Sequence, residues 1–183
     1  MRTWKQVRGW CDFDRLYRSQ VERVESGHFV EVGAWLGQSA CMMGSLIRES
    51  GKPIWFDVVE HGLGDPGVQC ELEQLEASGR SIIGQLRRNI VACGVEAFVH
   101  VREMDSVAAA HTYHEQTLDF VFIDANHTEE AVRRDLIAWL PRVRSGGVLA
   151  GHDWNHMGVQ RAVLQFFQPH IEGSCWVYVV PGR

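Results

Sequence analysis

Two acids and a histidine stand directly after predicted strands in the second half of the chain. Asp124 ends the apolar run LDFVFID, and His152 and Asp153 follow the run GGVLAG. If these strands are neighbours in one sheet, their ends lie roughly 5 Å apart, so Asp124 and Asp153 could share a divalent cation. Oxygen ligands suit Mg²⁺ or Ca²⁺, and a histidine ligand would also suit Mn²⁺ or another transition metal. The alternative is that these acids are helix caps or solvated loop residues.

His127 follows Asp124 after three residues, in the predicted first turn of a helix that faces the same crevice. A histidine there is suited to take a proton from an attacking hydroxyl, although a capping or surface histidine fits the pattern equally well. Asn126 is predicted to be the N-cap of this helix, with Glu129 as its capping-box partner. No chemistry is predicted for His111, His114, His156 and His170.

A glycine-containing turn, EVGAWLGQS, follows the first predicted strand and opens a helix. Open α/β sheets bind ligands at this edge, where glycines allow close approach and helix-start amides attract a carboxylate or phosphate. Gln38 and Ser39 could add donors, while Glu31 would repel a phosphate and favour an ammonium group, which indicates an amino-acid headgroup. A dinucleotide is the weaker alternative, because glycines stand only at Gly33 and Gly37 and the G-x-G-x-x-G spacing is absent. A turn that serves packing alone is the other alternative.

Polar residues also follow the second and third predicted strands. Glu60 ends the second, where a carboxylate can accept both hydroxyls of a ribose. Asp105 and Ser106 start the next helix, where they could either cap it or contact an adenine amino group. Trp35 and Trp154 are predicted to rim the pocket.

These residues are positioned by a repeating order of short apolar runs, loops and helical patterns, which is typical of a parallel sheet covered by helices. Strands are predicted near 29–33, 54–60, 97–102, 118–124, 147–151 and 175–180. Helices are predicted near 37–50, 80–93, 127–140 and 157–168. A leading amphipathic helix that ends at Gly27 is predicted to use its apolar residues for packing: Trp10, Phe13, Leu16, Tyr17, Val21 and Val24.

Length and composition limit the classes of protein to consider. The 183 residues fit one domain, 1–183, with an N-terminal helix within 1–27 and a core in 28–183. The net charge of −5 argues against a nucleic-acid partner, and no apolar run reaches the roughly 20 residues that a membrane span needs. Five scattered cysteines without a secretory signal favour the cytoplasm. The segment 61–79 is predicted to be an insertion over the sheet edge, either a solvated loop or a lid.

Four segments together resemble the class I S-adenosylmethionine methyltransferases, specifically the small branch related to catechol and macrocin O-methyltransferases. They are VEVGAWLGQSA, VVEHG, LDFVFIDANHTEEAVRRDLIAWLPRVRSGGVLAGHDW and GVQRAV, and the resemblance runs from about residue 13 to residue 168. It implies a doubly wound, mostly parallel Rossmann-like sheet and methyl transfer from S-adenosylmethionine to a small-molecule or sugar hydroxyl. A divalent cation such as Mg²⁺ assists some members. A non-catalytic binding module or a cephalosporin hydroxylase-like protein is the alternative.

The resemblance also implies roles for particular residues of the cofactor site. Glu31, Gly33 and Ser39 would hold the methionine end of the cofactor and Glu60 the ribose. Asp105 or Ser106 would contact the adenine. The remaining candidates of this site are Trp35, Gly37 and Asp124.

In metal-dependent relatives the ligands correspond to Asp124, His152 and Asp153, and the histidine departs from the acid or amide usual there. His127 stands where relatives carry the residue that helps to deprotonate the acceptor, so His127 and Asp124 are the candidate catalytic residues. Only fifteen residues follow Gln168, enough for one clear strand and a stub of the usual closing hairpin. We therefore expect a shortened C-terminal strand region, with a substrate side that is open or completed by a second copy in a homodimer.

Overall fold

The computed structural model describes residues 1–64 and 69–182, which form one seven-stranded sheet with helices on both faces. The strands are β1 Gly27–Val32, β2 Ile54–Glu60, β3 His100–Glu103, β4 Leu118–Ile123, β5 Val143–Gly151, β6 His170–Glu172 and β7 Cys175–Val179. The helices are α1 Asp14–Arg23, α2 Gln38–Ser50, α3 Gln69–Ala77, α4 Ile82–Ala92, α5 Ser106–Ala110, α6 Glu129–Trp139 and α7 Met157–Val163. The strand order is β3-β2-β1-β4-β5-β7-β6.

The central strands are apolar on both faces because helices cover both. Every residue of β4 is buried. Phe120 and Phe122 pack with α1, α2 and α4, while Val121 and Ile123 pack with α5, α6 and α7. This two-sided burial explains the near-continuous apolar runs in the sequence and confirms the predicted doubly wound α/β fold.

The strand order reverses at β1, which pairs in parallel with both β2 and β4. The chain leaves β1 toward one side of the sheet and reaches β4 on the other, so a crevice opens beyond their carboxyl ends. Two backbone hydrogen bonds extend the pairing into this crevice, from Gly33 N–H to the Val59 carbonyl (2.9 Å) and from Asp124 N–H to the Val32 carbonyl (2.8 Å). The glycine turn and Asp124 are therefore neighbours.

The last two strands form an antiparallel hairpin at the edge of the sheet. β7 pairs antiparallel with β5, and the three-residue β6 pairs antiparallel with β7 at the edge of the sheet. Gly173, with φ of 62°, makes the turn between them. No helix in the described ranges 1–64 and 69–182 has the length and apolar character to cross a membrane.

Two predictions about local structure are wrong. The leading helix covers only Asp14–Arg23, so Trp10 precedes it and is 58% exposed instead of packed. Thr128, not Asn126, caps α6, because its hydroxyl accepts the Ala131 N–H while Asn126 accepts the N–H of Thr128 itself. Asn and Thr are both good N-cap residues, so the sequence does not determine which of them caps the helix.

Candidate functional site

A cavity of about 420 Å³ opens at the carboxyl ends of β1, β2, β4 and β5, within the size range of small-molecule sites. Of the predicted site residues, the wall includes Gly33, Trp35, Ser39, Glu60, Ser106, Asp124, His127, His152 and Asp153. Glu31, Gly37 and Asp105 are not among the lining residues. Trp154 is also not among them, so the prediction that it rims the pocket is wrong. The wall also includes residues for which no site role was predicted: Gly9, Trp10, His61, Gly64, Asn126 and His156.

The glycine turn brings bare backbone to the edge of the cavity. Gly33 has φ of 84°, and a Cβ atom there would lie 2.3 Å from the carbonyl oxygen of Asp124. Trp35 also adopts a left-handed conformation, with φ of 50°, which is uncommon for a residue with a side chain. Gly37 serves packing, since a Cβ atom on it would lie 2.3 Å from Cδ1 of Leu86 in α4.

Glu60 holds this turn in place. One carboxylate oxygen accepts hydrogen bonds from the N–H groups of Ala34 (3.1 Å) and Trp35 (3.0 Å), and the other accepts from the N–H of Gly62 (2.8 Å). The residue is 8% exposed and lines the cavity. Glu60 therefore fixes the shape of the turn. Its carboxylate also lies at the position predicted to bind a ribose.

Glu31 lies beneath the cavity instead of facing it. It shares a face of the sheet with Phe29, on the side of α1 and α2, and is 1% exposed. Its carboxyl accepts a hydrogen bond from the Ser39 hydroxyl. Burial raises the pKa of Glu31 to about 8, although the Ser39 hydrogen bond opposes the shift. The expectation that Glu31 points into the crevice is thus wrong, because strand alternation turns it into the core, and only Ser39 reaches the cavity.

Asp105 and Ser106 have separate roles. The Asp105 carboxylate accepts a hydrogen bond from the N–H of Ala108 (3.0 Å). Asp105 is therefore the N-cap of α5, which was one of the two predicted roles. The Ser106 hydroxyl donates to Asp135 (2.6 Å) and accepts from the Trp139 indole N–H (2.9 Å). As the first residue of α5, Ser106 also has a backbone N–H with no acceptor within the helix.

Asp124, His152 and Asp153 meet at the other wall, as the ends of β4 and β5 predicted. Each offers one ligand atom, and these atoms all lie within 4.8 Å of one another. Nδ1 of His152 lies 3.6 Å from Asp124 Oδ1 and 3.1 Å from Asp153 Oδ2. His127 Nε2 lies 2.8 Å from Asp153 Oδ2 and 4.0 Å from Asp124 Oδ1. The two separations from His152 Nδ1 suit ligands of a single small cation.

The backbone at Asp153 explains how two consecutive residues face one cavity. Neighbouring side chains of an extended strand point to opposite faces. Asp153 instead has φ of 56°, a left-handed conformation that Asp tolerates better than most residues. The turn is fixed by hydrogen bonds from His152 N–H to the Ile123 carbonyl (3.1 Å) and from Trp154 N–H to the Ser174 carbonyl (2.9 Å).

The carboxylates change the protonation of both histidines. Hydrogen bonding to Asp124 and Asp153 raises the pKa of His127 to about 10. Burial lowers the pKa of His152, but the same two carboxylates outweigh it and raise the value to about 11. Contacts with His127 and His152 hold the pKa of Asp153 far below its usual range. Both histidines are therefore held in the protonated form at neutral pH.

Sequence reasoning missed two contributors to this wall. His156 Nε2 lies 3.8 Å from Asp153 Oδ1, and its ring centroid lies 5.0 Å from that of His127. Its position three residues after Asp153, matching that of His127 after Asp124, was the available signal. Asp12 accepts from His152 and was not identifiable, because 140 residues separate the pair.

Comparison with known proteins identifies the family. Residues 30–154 match the profile of a family described as a methyltransferase domain, and the match includes the glycine turn, Glu60 and the cluster of acids and histidines. The chain belongs to this methyltransferase-domain family. The resemblance noted in the sequence is thereby confirmed, and the enzyme is an S-adenosylmethionine-dependent methyltransferase.

Solved structures share the fold of this methyltransferase at low sequence identity. The O-methyltransferase NovP is 18% identical, with a TM-score of 0.71 over 92% of this chain and 79% of NovP. The cofactor-bound structure of Rv0187 from MTB is 14% identical, with a TM-score of 0.66 over 97% and 84%. CalS11, a TDP-rhamnose 3′-O-methyltransferase, is 13% identical, with a TM-score of 0.60 over 91% and 76%.

Proposed function

We propose that this methyltransferase transfers the methyl group of S-adenosylmethionine to a hydroxyl of a small molecule, assisted by a divalent cation at Asp124, His152 and Asp153. The observation that carries the proposal is the position of Asp124. Its carbonyl oxygen lies against Gly33 of the glycine turn, and its carboxylate belongs to the cluster with His152 and Asp153. One residue thus joins the surface suited to the methyl donor and the cluster suited to an acceptor oxygen.

The wall around the glycine turn fits the three parts of S-adenosylmethionine. Ser39 and the bare backbone at Gly33 suit the amino-acid end. Glu60 is a buried carboxylate at the end of β2, where hydroxyls of a ribose can reach it. The backbone N–H of Ser106 suits an adenine nitrogen. Val32 and Val59 add apolar wall between these groups.

The cluster fits a divalent cation by its donor chemistry. Two carboxylates supply two negative charges, and an imidazole nitrogen completes a compact set. Such ligands suit first-row divalent ions as well as Mg²⁺. When bound, S-adenosylmethionine supplies the methyl group, and the cation supplies positive charge that Asp124 and Asp153 share.

His127 then supplies the proton chemistry of the site. With its pKa near 10, it keeps its proton at neutral pH while both carboxylates act on it. His127 is the residue placed to accept a proton from an acceptor hydroxyl. A cation held by Asp124 and Asp153 would offset the negative charge that keeps the imidazole protonated. Glu60 and Gly33 orient the donor side, and Trp10 and Trp35 add aromatic surface to the wall of the cavity. Alignment and electrostatics are the chain's own contributions.

Two similar structures support oxygen as the acceptor atom. NovP is an O-methyltransferase, and CalS11 acts on TDP-rhamnose at a sugar hydroxyl. The open cavity, whose wall includes His127, His156 and Trp10, has room and polarity for a hydroxylated ring.

Calorimetric titration tests the donor side first, with NAD as the competing ligand. We expect saturable binding of S-adenosylmethionine and none of NAD. Glu60→Gln should weaken binding at least tenfold, because the variant loses the charge that fixes the turn and accepts ribose hydroxyls. Glu103→Gln is the matched control, since Glu103 pairs with Glu60 in register but is exposed. Absence of S-adenosylmethionine binding to the wild-type protein would overturn the proposal.

Turnover tests the acceptor side. S-adenosylhomocysteine formation would be followed with panels of phenols, catechols and nucleotide sugars, each with Mg²⁺, with Mn²⁺ and with EDTA. We expect turnover with a hydroxylated acceptor that EDTA abolishes. Cofactor binding without product from any acceptor would favour a non-catalytic binding module, and full turnover in EDTA would remove the cation from the reaction.

A further inference from the structure

The segment preceding α1 holds the His152 ring through two contacts. Its Nε2 atom lies 2.9 Å from Asp12 Oδ1, and the Phe13 ring packs on it with centroids 5.0 Å apart. The Ser174 hydroxyl donates to the same Asp12 oxygen at 2.7 Å. The His152 side chain is only 10% exposed, so Asp12 defines which edge of a buried ring faces the cavity.

The hydrogen bond to Asp12 selects the tautomer of the ring. With Nε2–H donating to Asp12, a neutral imidazole carries its lone pair on Nδ1. Nδ1 is the atom that faces Asp124 Oδ1 at 3.6 Å and Asp153 Oδ2 at 3.1 Å. Ligand atoms bonded to one small cation at about 2.0–2.2 Å stand about 2.8–3.6 Å apart for bond angles near 90–110°. The separations of Nδ1 from both carboxylates match that range.

We propose that Asp12 is a positioning residue that turns Nδ1 of His152 into the cluster, so that the site prefers Mn²⁺ or another first-row transition ion over Mg²⁺. The inference rests on the proposed function, because it concerns the cation of the same site. A carboxylate that accepts from the far nitrogen of a ligating histidine fixes its orientation and makes it a stronger ligand. An imidazole nitrogen suits transition ions, whereas Mg²⁺ favours oxygen ligands.

Positioning of His152 by Asp12 can be distinguished from attachment of the N-terminal segment to the core. Burial of Val7 and Phe13, which are 2% and 4% exposed, attaches that segment to the core independently of Asp12. The Asp12 carboxylate itself is 66% exposed and adds little apolar contact. Loss of its side chain should therefore affect the His152 ring far more than it affects folding.

The experiment measures binding of Mn²⁺ and Mg²⁺ to the cofactor-free full chain by calorimetry at one pH. Asp12→Ala should weaken Mn²⁺ binding about 10- to 100-fold. Asp12→Asn should recover most of that loss, because its amide oxygen still accepts from Nε2–H. His152→Asp should raise Mg²⁺ affinity relative to Mn²⁺, because the ligand set becomes all oxygen. Asp14→Asn is the control, an exposed acid at the start of α1 that should change neither affinity.

Two further readouts separate positioning from structure. Pulsed electron paramagnetic resonance of bound Mn²⁺ should show a ¹⁴N coupling in the wild type that disappears in His152→Asp and weakens in Asp12→Ala. The melting temperature of metal-free Asp12→Ala should stay close to that of the wild type. A lower melting temperature with unchanged Mn²⁺ affinity would reduce Asp12 to a structural contact and overturn the inference.

Parallel titration with S-adenosylmethionine distinguishes the possible failures. Equal Mn²⁺ affinity in the wild type and Asp12→Ala, with cofactor binding intact, would overturn the inference and leave the proposed function standing. No Mn²⁺ or Mg²⁺ binding to a wild-type protein that binds S-adenosylmethionine would remove both the inference and the proposed cation. Tighter binding of Mg²⁺ than of Mn²⁺ to the wild type would refute the ion preference.

Discussion

Replacement of Glu31 by Gln should make the protein more stable at alkaline pH and should flatten its pH dependence. Glu31 is 1% exposed, and burial raises the pKa of its carboxyl from 4.5 to about 8. Gln has nearly the same size and keeps a carbonyl oxygen that can accept from the Ser39 hydroxyl, but it does not ionise. The comparison therefore isolates the cost of keeping an acid at this position.

The sign of the effect follows from the two pKa values. Below pH 4.5 the carboxyl is protonated in both the folded and the unfolded chain, and its titration adds no cost. Between pH 4.5 and 8 the unfolded chain loses the proton while the folded chain keeps it, so the free energy of unfolding falls as pH rises. From pH 5 to pH 8 this loss amounts to about 3–4 kcal/mol, and it levels off above pH 8.

Urea unfolding of the ligand-free wild type and of Glu31→Gln at pH 5, 6, 7 and 8 measures this effect. The difference in free energy of unfolding between the variant and the wild type should increase by about 1 kcal/mol per pH unit in favour of the variant. Glu22→Gln removes an exposed carboxyl of α1 and is the control, with a difference that should not change across the range. A constant difference between the wild type and Glu31→Gln would refute the argument that burial controls this carboxyl.

Two further substitutions test the packing of the site. Gly33→Ala should abolish detectable S-adenosylmethionine binding in calorimetry and lower the free energy of unfolding by about 2–4 kcal/mol, because its Cβ atom would meet the Asp124 carbonyl at 2.3 Å. Gly51→Ala is the matched control, also left-handed with φ of 65° but with nothing within 4 Å, and it should cost about 1 kcal/mol and leave binding unchanged. Ser106→Ala should lower the free energy of unfolding by about 1–3 kcal/mol in urea, since the Trp139 N–H and Asp135 lose a buried partner. A cost no larger than that of the exposed Ser26→Ala would show that this network does not stabilise the fold.

The amino-acid sequence by itself determined the architecture and the edge of the sheet on which the site lies. Alternation of apolar runs and helical patterns reports burial that is local in the chain, and β2, β4 and β7 lie within one or two residues of their predicted positions. Because parallel strands end at the same edge, the positions of Asp124, His152 and Asp153 after their strands were enough to predict that they meet. Gly33 was identifiable for the same reason, as a glycine at the end of the first strand.

Only the tertiary structure decided which side chains face the cavity and what holds them. The Glu31 side chain points into the core, where burial raises its pKa to about 8, and Glu60 accepts hydrogen bonds from three backbone N–H groups. Asp12 reaches His152 across 140 residues, and Trp10 comes to the cavity wall because α1 begins only at Asp14. Residue types and spacing describe each element separately, whereas such contacts depend on how a loop packs against distant elements, which is set by the folded chain as a whole.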